Sequence, residues 1–203
     1  MSAPLSHPAR VVVLASGTGT LLRSLADAAG DGYPARIVAV GVDRDCDAAR
    51  SGIETFRVDL ADHPDRDAWD AALTAATAAH RPDLIVSAGF MKILGPRFLA
   101  EFGGRIINTH PALLPSFPGA HAVPDALAHG VKVTGTTVHL VDSGVDTGPI
   151  LAQEAVPVLD GDDASTLHER IKTVERRLLI DVIAAVASRG VISDGRKAQI
   201  PSE

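Results

Sequence analysis

Residues 10–15 read RVVVLA, a β-branched apolar run too short for a helix. The run breaks at residues 16–20, SGTGT, and gives way to a stretch with apolar side chains at positions 21, 22, 25, 26 and 29. The first pattern is that of a strand buried on both faces, the second that of a helix with one apolar stripe. The pair recurs down the chain. Strands are predicted at 35–42, weakly at 54–58, and again at 83–88 and 105–108. Between them fall a short helix at 47–51 and an amphipathic one at 65–79, started by Asp62 or Asp65. A further helix spans 96–102, with Pro96 early, where its missing N–H costs nothing. Alternation of this kind predicts a parallel sheet covered by helices on both sides.

The pattern then changes. Residues 134–140, TGTTVHL, alternate as a half-exposed strand would. Residues 150–156 form its antiparallel partner across a turn at 142–149, and 164–188 form one long helix. The fold class is α/β: a Rossmann-like, doubly wound, mostly parallel sheet with strands added at its C-terminal end and a long C-terminal helix. With 203 residues, 46% of them hydrophobic, the chain can build its core without disulfides or metal.

Charge and composition exclude several classes of function. Nineteen basic against 25 acidic residues leave a net charge of −6, unsuited to a general nucleic-acid binder. Aromatic residues, at 3%, are too few for base-stacking platforms. Cys46, the single cysteine, excludes an internal disulfide and a thiolate zinc cluster. The sequence contains no membrane-spanning apolar run, and MSAPLSHPAR lacks the apolar core of a secretory signal. A soluble, cytoplasmic protein is expected, with no membrane or nucleic-acid partner.

Two segments carry chemistry. In residues 16–20, glycines let the backbone approach a ligand where helix-start N–H groups lie unpaired, which suits a phosphate. No Gly-Lys-Ser/Thr follows, so this is not a Walker loop, and Leu22 stands where a dinucleotide fingerprint needs its third glycine. A Ser/Thr-capped strand–helix turn accounts for the same residues. The second segment is Asn108-Thr109-His110-Pro111. Side chains two apart on a strand share a face, so Asn108 and His110 point the same way at a strand's carboxyl end, where open α/β sheets bind ligands. Residues 112–124, ALLPSFPGAHAVP, form a stiff apolar wall beside them. The Asn amide can donate to a developing oxyanion, and the His can carry a proton near neutral pH. The sequence has no G-x-S-x-G elbow, and Cys46 is distant, so direct attack between two substrates fits better than a covalent intermediate. Asp146, in the 142–149 turn, is the carboxylate best placed to orient His110. A structural hydrogen bond for His110 and ordinary turn chemistry for Asp146 beside Gly148 remain open alternatives, and spacing alone does not join the two.

Taken together, VVVLASGTGTLLRSL, SAGFMKIL, INTHPALLPSFPGAHA, GTTVHLVDSGVDTGPILAQEAVPV and TLHERIKTVERRLL resemble the folate-dependent formyltransferases. Within them, the Ser-Gly-x-Gly-Thr opening is similar to that of the glycinamide ribonucleotide formyltransferases. The likeness runs from about residue 10 to 188. It implies a one-carbon transferase of de novo purine biosynthesis, moving the formyl group of the cosubstrate 10-formyltetrahydrofolate to the amine of 5′-phosphoribosylglycinamide. It implies no metal, and small molecules as the partners of a monomer or homodimer. Carried residue by residue, it makes Asn108, His110 and Asp146 the catalytic trio, backed by His139. Gly19, Thr20 and Leu21 would bind the ribose phosphate, and Glu175 the ribose or amine end. Arg66, Met91, Lys92, Ile93 and Leu94, with Asn108, would line the folate pocket. Asp142, Ser143, Gly144, Val145 and Asp146 would hold the pterin ring. The chain would be one formyltransferase domain: a flexible 1–9, a phosphate-binding half at 10–104 and a catalytic, folate-binding half at 105–203.

Two positions depart from the family. Leu21 stands where Asn is frequent, and Lys92 where Arg is frequent, which loses a planar fork but not the charge. An ordinary charge on a solvated helix start accounts equally for Arg66. Rival readings are a formyltransferase for methionyl-tRNA or a nucleotide sugar, and a formyltetrahydrofolate deformylase. The first is expected to need a further C-terminal domain, the second a regulatory domain before residue 10. A rival of another class is a non-catalytic nucleotide-binding module or a dinucleotide dehydrogenase, using Asp43 for a ribose, against which the missing third glycine counts.

Overall fold

The computed structural model describes Leu5 and residues 8–202. Most of the stretch expected to be a flexible N-terminus lies outside the described residues. Ala9 already belongs to the first strand, and the Leu5 N–H donates to the Ala187 carbonyl at 3.2 Å.

The strands are β1 (Ala9–Ala15), β2 (Ala35–Val42), β3 (Thr55–Arg57), β4 (Leu84–Ser87), β5 (Ile106–His110), β6 (Val133–Leu140), β7 (Ile150–Pro157), β8 (Ile192–Asp194) and β9 (Lys197–Gln199). The helices are α1 (Thr20–Ala28), α2 (Arg66–Ala79), α3 (Pro96–Phe102), α4 (Ala122–Ala128) and α5 (Ala164–Arg189). All strands join one sheet in the order β3-β2-β1-β4-β5-β6-β7-β9-β8. Pairing is parallel from β3 to β5 and antiparallel from β5 through β6 to β7. Strand β9 meets β7 in parallel, paired at Ile150 and Lys197, and forms an antiparallel hairpin with β8. From β1 the chain winds outward to β3, then returns to β4 on the other side of β1. That reversal is a topological switch point, with a crevice beyond the strands' carboxyl ends.

The run at 10–15 is apolar throughout because both of its faces are covered. Val11 and Val13 join a core with Leu21, Leu22 and Leu25 of α1 and Leu179, Val182 and Ile183 of α5. Val12 and Leu14 face the opposite core, built on Trp69 and Leu73 of α2 and Phe98 and Phe102 of α3. Helix ends follow their local chemistry. Asp65 caps α2 by accepting the Ala68 N–H, and Pro96 opens α3. Asp163 and Thr166 form a reciprocal capping box at the start of α5.

Three expectations need correction, and one element is new. Strand β5 does not stop at Asn108: Thr109 and His110 stay paired with Val138 and Thr137 of β6 before Pro111 ends the ladder. Strand β6 is not half-exposed, since every residue after Val133 is buried. It lies between β5 and β7, with α5 and the 112–114 segment packed on it. Two of its three threonines bond to backbone, while Thr134 Oγ1 is buried without a partner among the described residues. Thr137 Oγ1 donates to the Ala112 carbonyl at 2.7 Å and accepts the Leu114 N–H, while Thr136 Oγ1 donates to the His110 carbonyl. The wall at 112–124 runs into α4, whose third residue is Pro124, still in the first turn where a missing N–H is tolerated. Hairpin β8–β9 was not anticipated. Gly195-Arg196 forms its two-residue turn, with Gly195 at a φ of 56°. Among the described residues no helix is long and apolar enough to cross a membrane.

Candidate active site

Strand β5 delivers Asn108 and His110 side by side, and antiparallel β6 sets His139 directly opposite Asn108. Asp146 arrives from the turn after β6, which is wound tightly. Asp142 Oδ1 accepts the Thr147 hydroxyl at 2.6 Å and the Gly144 N–H at 3.0 Å. A Cβ on Gly148 would lie 1.8 Å from the Leu140 carbonyl oxygen, so the backbone passes where no other residue fits. Asp146 itself takes a left-handed φ of 53°, a conformation that Asp tolerates better than most residues. Its carboxylate then sits with Oδ2 at 3.3 Å from His110 Nδ1 and Oδ1 at 3.7 Å from His139 Nε2. Asp146 also accepts the Gly119 N–H at 2.8 Å. The structure thus brings together the three groups that sequence spacing left unconnected.

The partners fix the imidazole roles. His139 Nδ1 donates to the Leu140 carbonyl at 2.9 Å, so in the neutral ring Nε2 is the acceptor. It takes one N–H of Asn108 Nδ2 at 3.3 Å. Burial holds the His139 pKa below the usual histidine range, which keeps the ring neutral. Asn108 therefore has its orientation fixed and retains a second N–H for a ligand. His110, 4% exposed, has acceptors at both nitrogens: Asp146 at Nδ1 and the Phe117 carbonyl at 2.7 Å from Nε2. A ring carrying both protons donates to each. Phe117 pays for its place with a left-handed φ of 53° and leans edge-on against the His129 ring at 5.3 Å. Sequence reasoning missed Phe117 and Gly119 because both act through main-chain atoms, which leave no signature in residue type.

The remaining candidates are spread around this centre. Glu175 of α5 lies beside Thr109, the strand residue between Asn108 and His110, and burial raises its pKa. By strand alternation it approaches β5 from the face opposite those two. In the glycine loop, Gly19 caps α1 with a φ of 68°, and the Gly17 carbonyl accepts the Ala48 N–H at 3.1 Å. Thr20 is exposed, but the Leu21 side chain turns into the core, so Leu21 can offer a ligand only its N–H. Met91 and Ile93 are 70% and 63% exposed, unusual for large apolar side chains, whereas Leu94 is buried. Arg66 donates to the Ile93 carbonyl and lies over the Trp69 ring, its guanidinium carbon 5.2 Å from the centroid. It is a fixed part of this wall rather than a free surface charge. Lys92 Nζ stands 3.5 Å from Asp43. Val145 is half-exposed, and Ser143 and Gly144 are exposed on the Asp146 turn.

The family described as formyl transferase matches residues 9–183. A phosphoribosylglycinamide formyltransferase of Mycobacterium tuberculosis is 70% identical over 199 residues, covering 96% of this chain and 93% of the relative. The crystal structure of glycinamide ribonucleotide transformylase 1 from Symbiobacterium toebii superposes with a TM-score of 0.93 at 41% identity, covering 97% of this chain and 96% of that one. A formyltetrahydrofolate deformylase from Pseudomonas syringae pv. tomato shares the fold at a TM-score of 0.87 and 28% identity, across 96% of this chain and 66% of its own.

Proposed function

The chain belongs to the formyl transferase family, and on that footing we propose that it transfers a formyl group from 10-formyltetrahydrofolate to the amine of 5′-phosphoribosylglycinamide, a step of purine biosynthesis. The observation that carries this reading is the convergence of Asn108, His110 and Asp146, with Asp146 Oδ2 3.3 Å from the His110 ring. The neutral amine nitrogen attacks the formyl carbon, and the formyl oxygen takes up the negative charge. The free Asn108 N–H stabilises that oxygen, and the His110 Nε2–H does so by exchanging the Phe117 carbonyl for it, each donor of this kind being worth a few kcal/mol. Asp146 balances the ring's charge and positions a water that carries a proton from the amine to the folate nitrogen. The bond from carbon to that nitrogen then breaks, leaving formylated product and tetrahydrofolate.

The supporting residues follow the same reading. Gly19, Thr20 and Leu21 hold the ribose phosphate at the start of α1, where helix-end N–H groups and dipole favour an anion. Glu175 takes the ribose or amine end. Met91, Ile93 and Leu94, with Lys92 and Arg66, form the folate wall, and Asp142, Ser143, Gly144 and Val145 enclose the pterin.

The test is formyl transfer from 10-formyltetrahydrofolate to phosphoribosylglycinamide, followed by folate absorbance. Asn108→Ala, His110→Ala and Asp146→Ala should each lower kcat by about 100-fold or more with the melting temperature retained. Near-wild-type turnover in all three would overturn the mechanism. Release of formate from the folate alone, at a rate independent of the amine, would point instead to the hydrolysis named in the deformylase relative.

A further inference from the structure

Asp43 follows β2 at the position where a dinucleotide-binding sheet offers an acid to a ribose. Here its carboxylate has no exposed surface. Arg44 Nη2 lies 3.1 Å from Oδ2 and Nε 3.4 Å from Oδ1, Lys92 Nζ is 3.5 Å from Oδ2, and the Ser16 side chain lies beside the same carboxylate. These donors use the lone pairs that a ribose diol would need.

The donors lead to two different parts of the site. Ser16 begins the glycine loop, and a hydroxyl has one proton to give. The Ser16 oxygen accepts the Met91 N–H at 2.8 Å, which leaves that proton free to turn toward Asp43. The Ser16 N–H returns a bond to the Gly89 carbonyl at 3.3 Å. Lys92 is the next residue of the 91–94 wall, and its ammonium rests on the carboxylate directly.

We propose that Asp43 is a positioning residue for both substrate subsites, setting the glycine loop and the Met91 amide through Ser16 and the Lys92 side chain by direct pairing. The inference builds on the formyl-transfer reading and adds to it a residue that touches neither substrate. A neutral amide at position 43 cannot reproduce the arrangement. It removes the charge that Arg44 and Lys92 pair with directly and turns an N–H₂ toward one of the donors.

Steady-state kinetics with both substrates varied test the proposal. Asp43→Asn should raise KM for the formyl donor and for the ribonucleotide by about five- to tenfold each, with kcat changed by less than about twofold. Lys92→Met should raise only the donor KM, and adding Asp43→Asn to it should raise that KM little further. Ser16→Ala should raise both. Unchanged KM values in a folded Asp43→Asn protein, or full additivity with Lys92→Met, would overturn the inference. If Asp43→Asn does not fold, the contrast between Ser16→Ala and Lys92→Met decides, and equal effects of those two on both KM values overturn it. Wild-type protein inactive with this substrate pair would refute the formyl-transfer reading, a result distinct from all of these.

Discussion

His139 is buried against β5, where the charged ring is the costlier form, and its pKa in the folded chain lies below the usual value. The unfolded chain takes up a proton at this residue at about pH 6.5. Between that pH and the lower folded value the unfolded state holds more protons, so stability rises with pH across the window and is lost as pH falls through it. Protonation would also put a second donor against the Asn108 amide at Nε2. The melting temperature should therefore drop as pH falls below about 6.5, and His139→Gln, whose carbonyl can still accept from Asn108, should flatten that drop. His168 has its pKa lowered by burial as well and contributes in the same direction in both proteins, so the difference between the two melting profiles is the measurement. Identical profiles would contradict the assignment. At this scale the sequence exposed the Asn108 and His110 pair because strand period alone puts them on one face. The approach of Asp146 was not legible. It depends on a positive φ and on the closeness of Gly148 to a carbonyl, and neither follows from residue order.

Helix α2 holds the 93–97 segment at two points. Arg66 and Asp70 stand one turn apart and so share a side of the helix. Arg66 takes the Ile93 carbonyl, while Asp70 Oδ2 accepts the Arg97 N–H at 2.8 Å. Gly95 lies between these contacts, and a Cβ there would come within 2.3 Å of the Asp70 carboxyl carbon. Since both groups are packed against α3, the clash cannot relax cheaply. Gly95→Ala should cost about 1–3 kcal/mol of stability by urea denaturation. It should also raise KM for the formyl donor more than for the ribonucleotide; an unchanged urea midpoint would show that the clamp is loose. Helices α2, α3 and α5 were legible because period, caps and early proline agree. Strand β6 differs from the reading because Thr136 and Thr137 imitate the polar half of an exposed strand while bonding to buried backbone. Helix α4 was hidden behind prolines that read as loop, although Pro124 falls where a helix accepts one.

One sheet runs through the whole molecule, and the pairing of β4 with β5 joins the segment carrying the glycine loop to the segment carrying Asn108 and His110. Trp69, the only tryptophan, is fully buried on the α2–α3 side, while α5 packs on the other face. If both faces depend on the shared strands, urea unfolding followed by Trp69 fluorescence and by far-UV circular dichroism should give one midpoint. Separate midpoints would divide the chain into independent halves. The doubly wound sheet could be anticipated because runs such as VVVL and LIV demand cover on both sides. The closing hairpin could not, since three-residue strands carry too little pattern. The margins of this sheet have a bearing on behaviour at high concentration. Main-chain groups without partners along an outer strand invite copies to zip together into fibrils. Strands β3 and β8 offer three residues apiece to such templating. The longer stretch of β7 beyond Ile150 carries Glu154, ion-paired with Arg177, and ends in Pro157, which has no N–H to lend. Accretion strand upon strand has little here on which to begin.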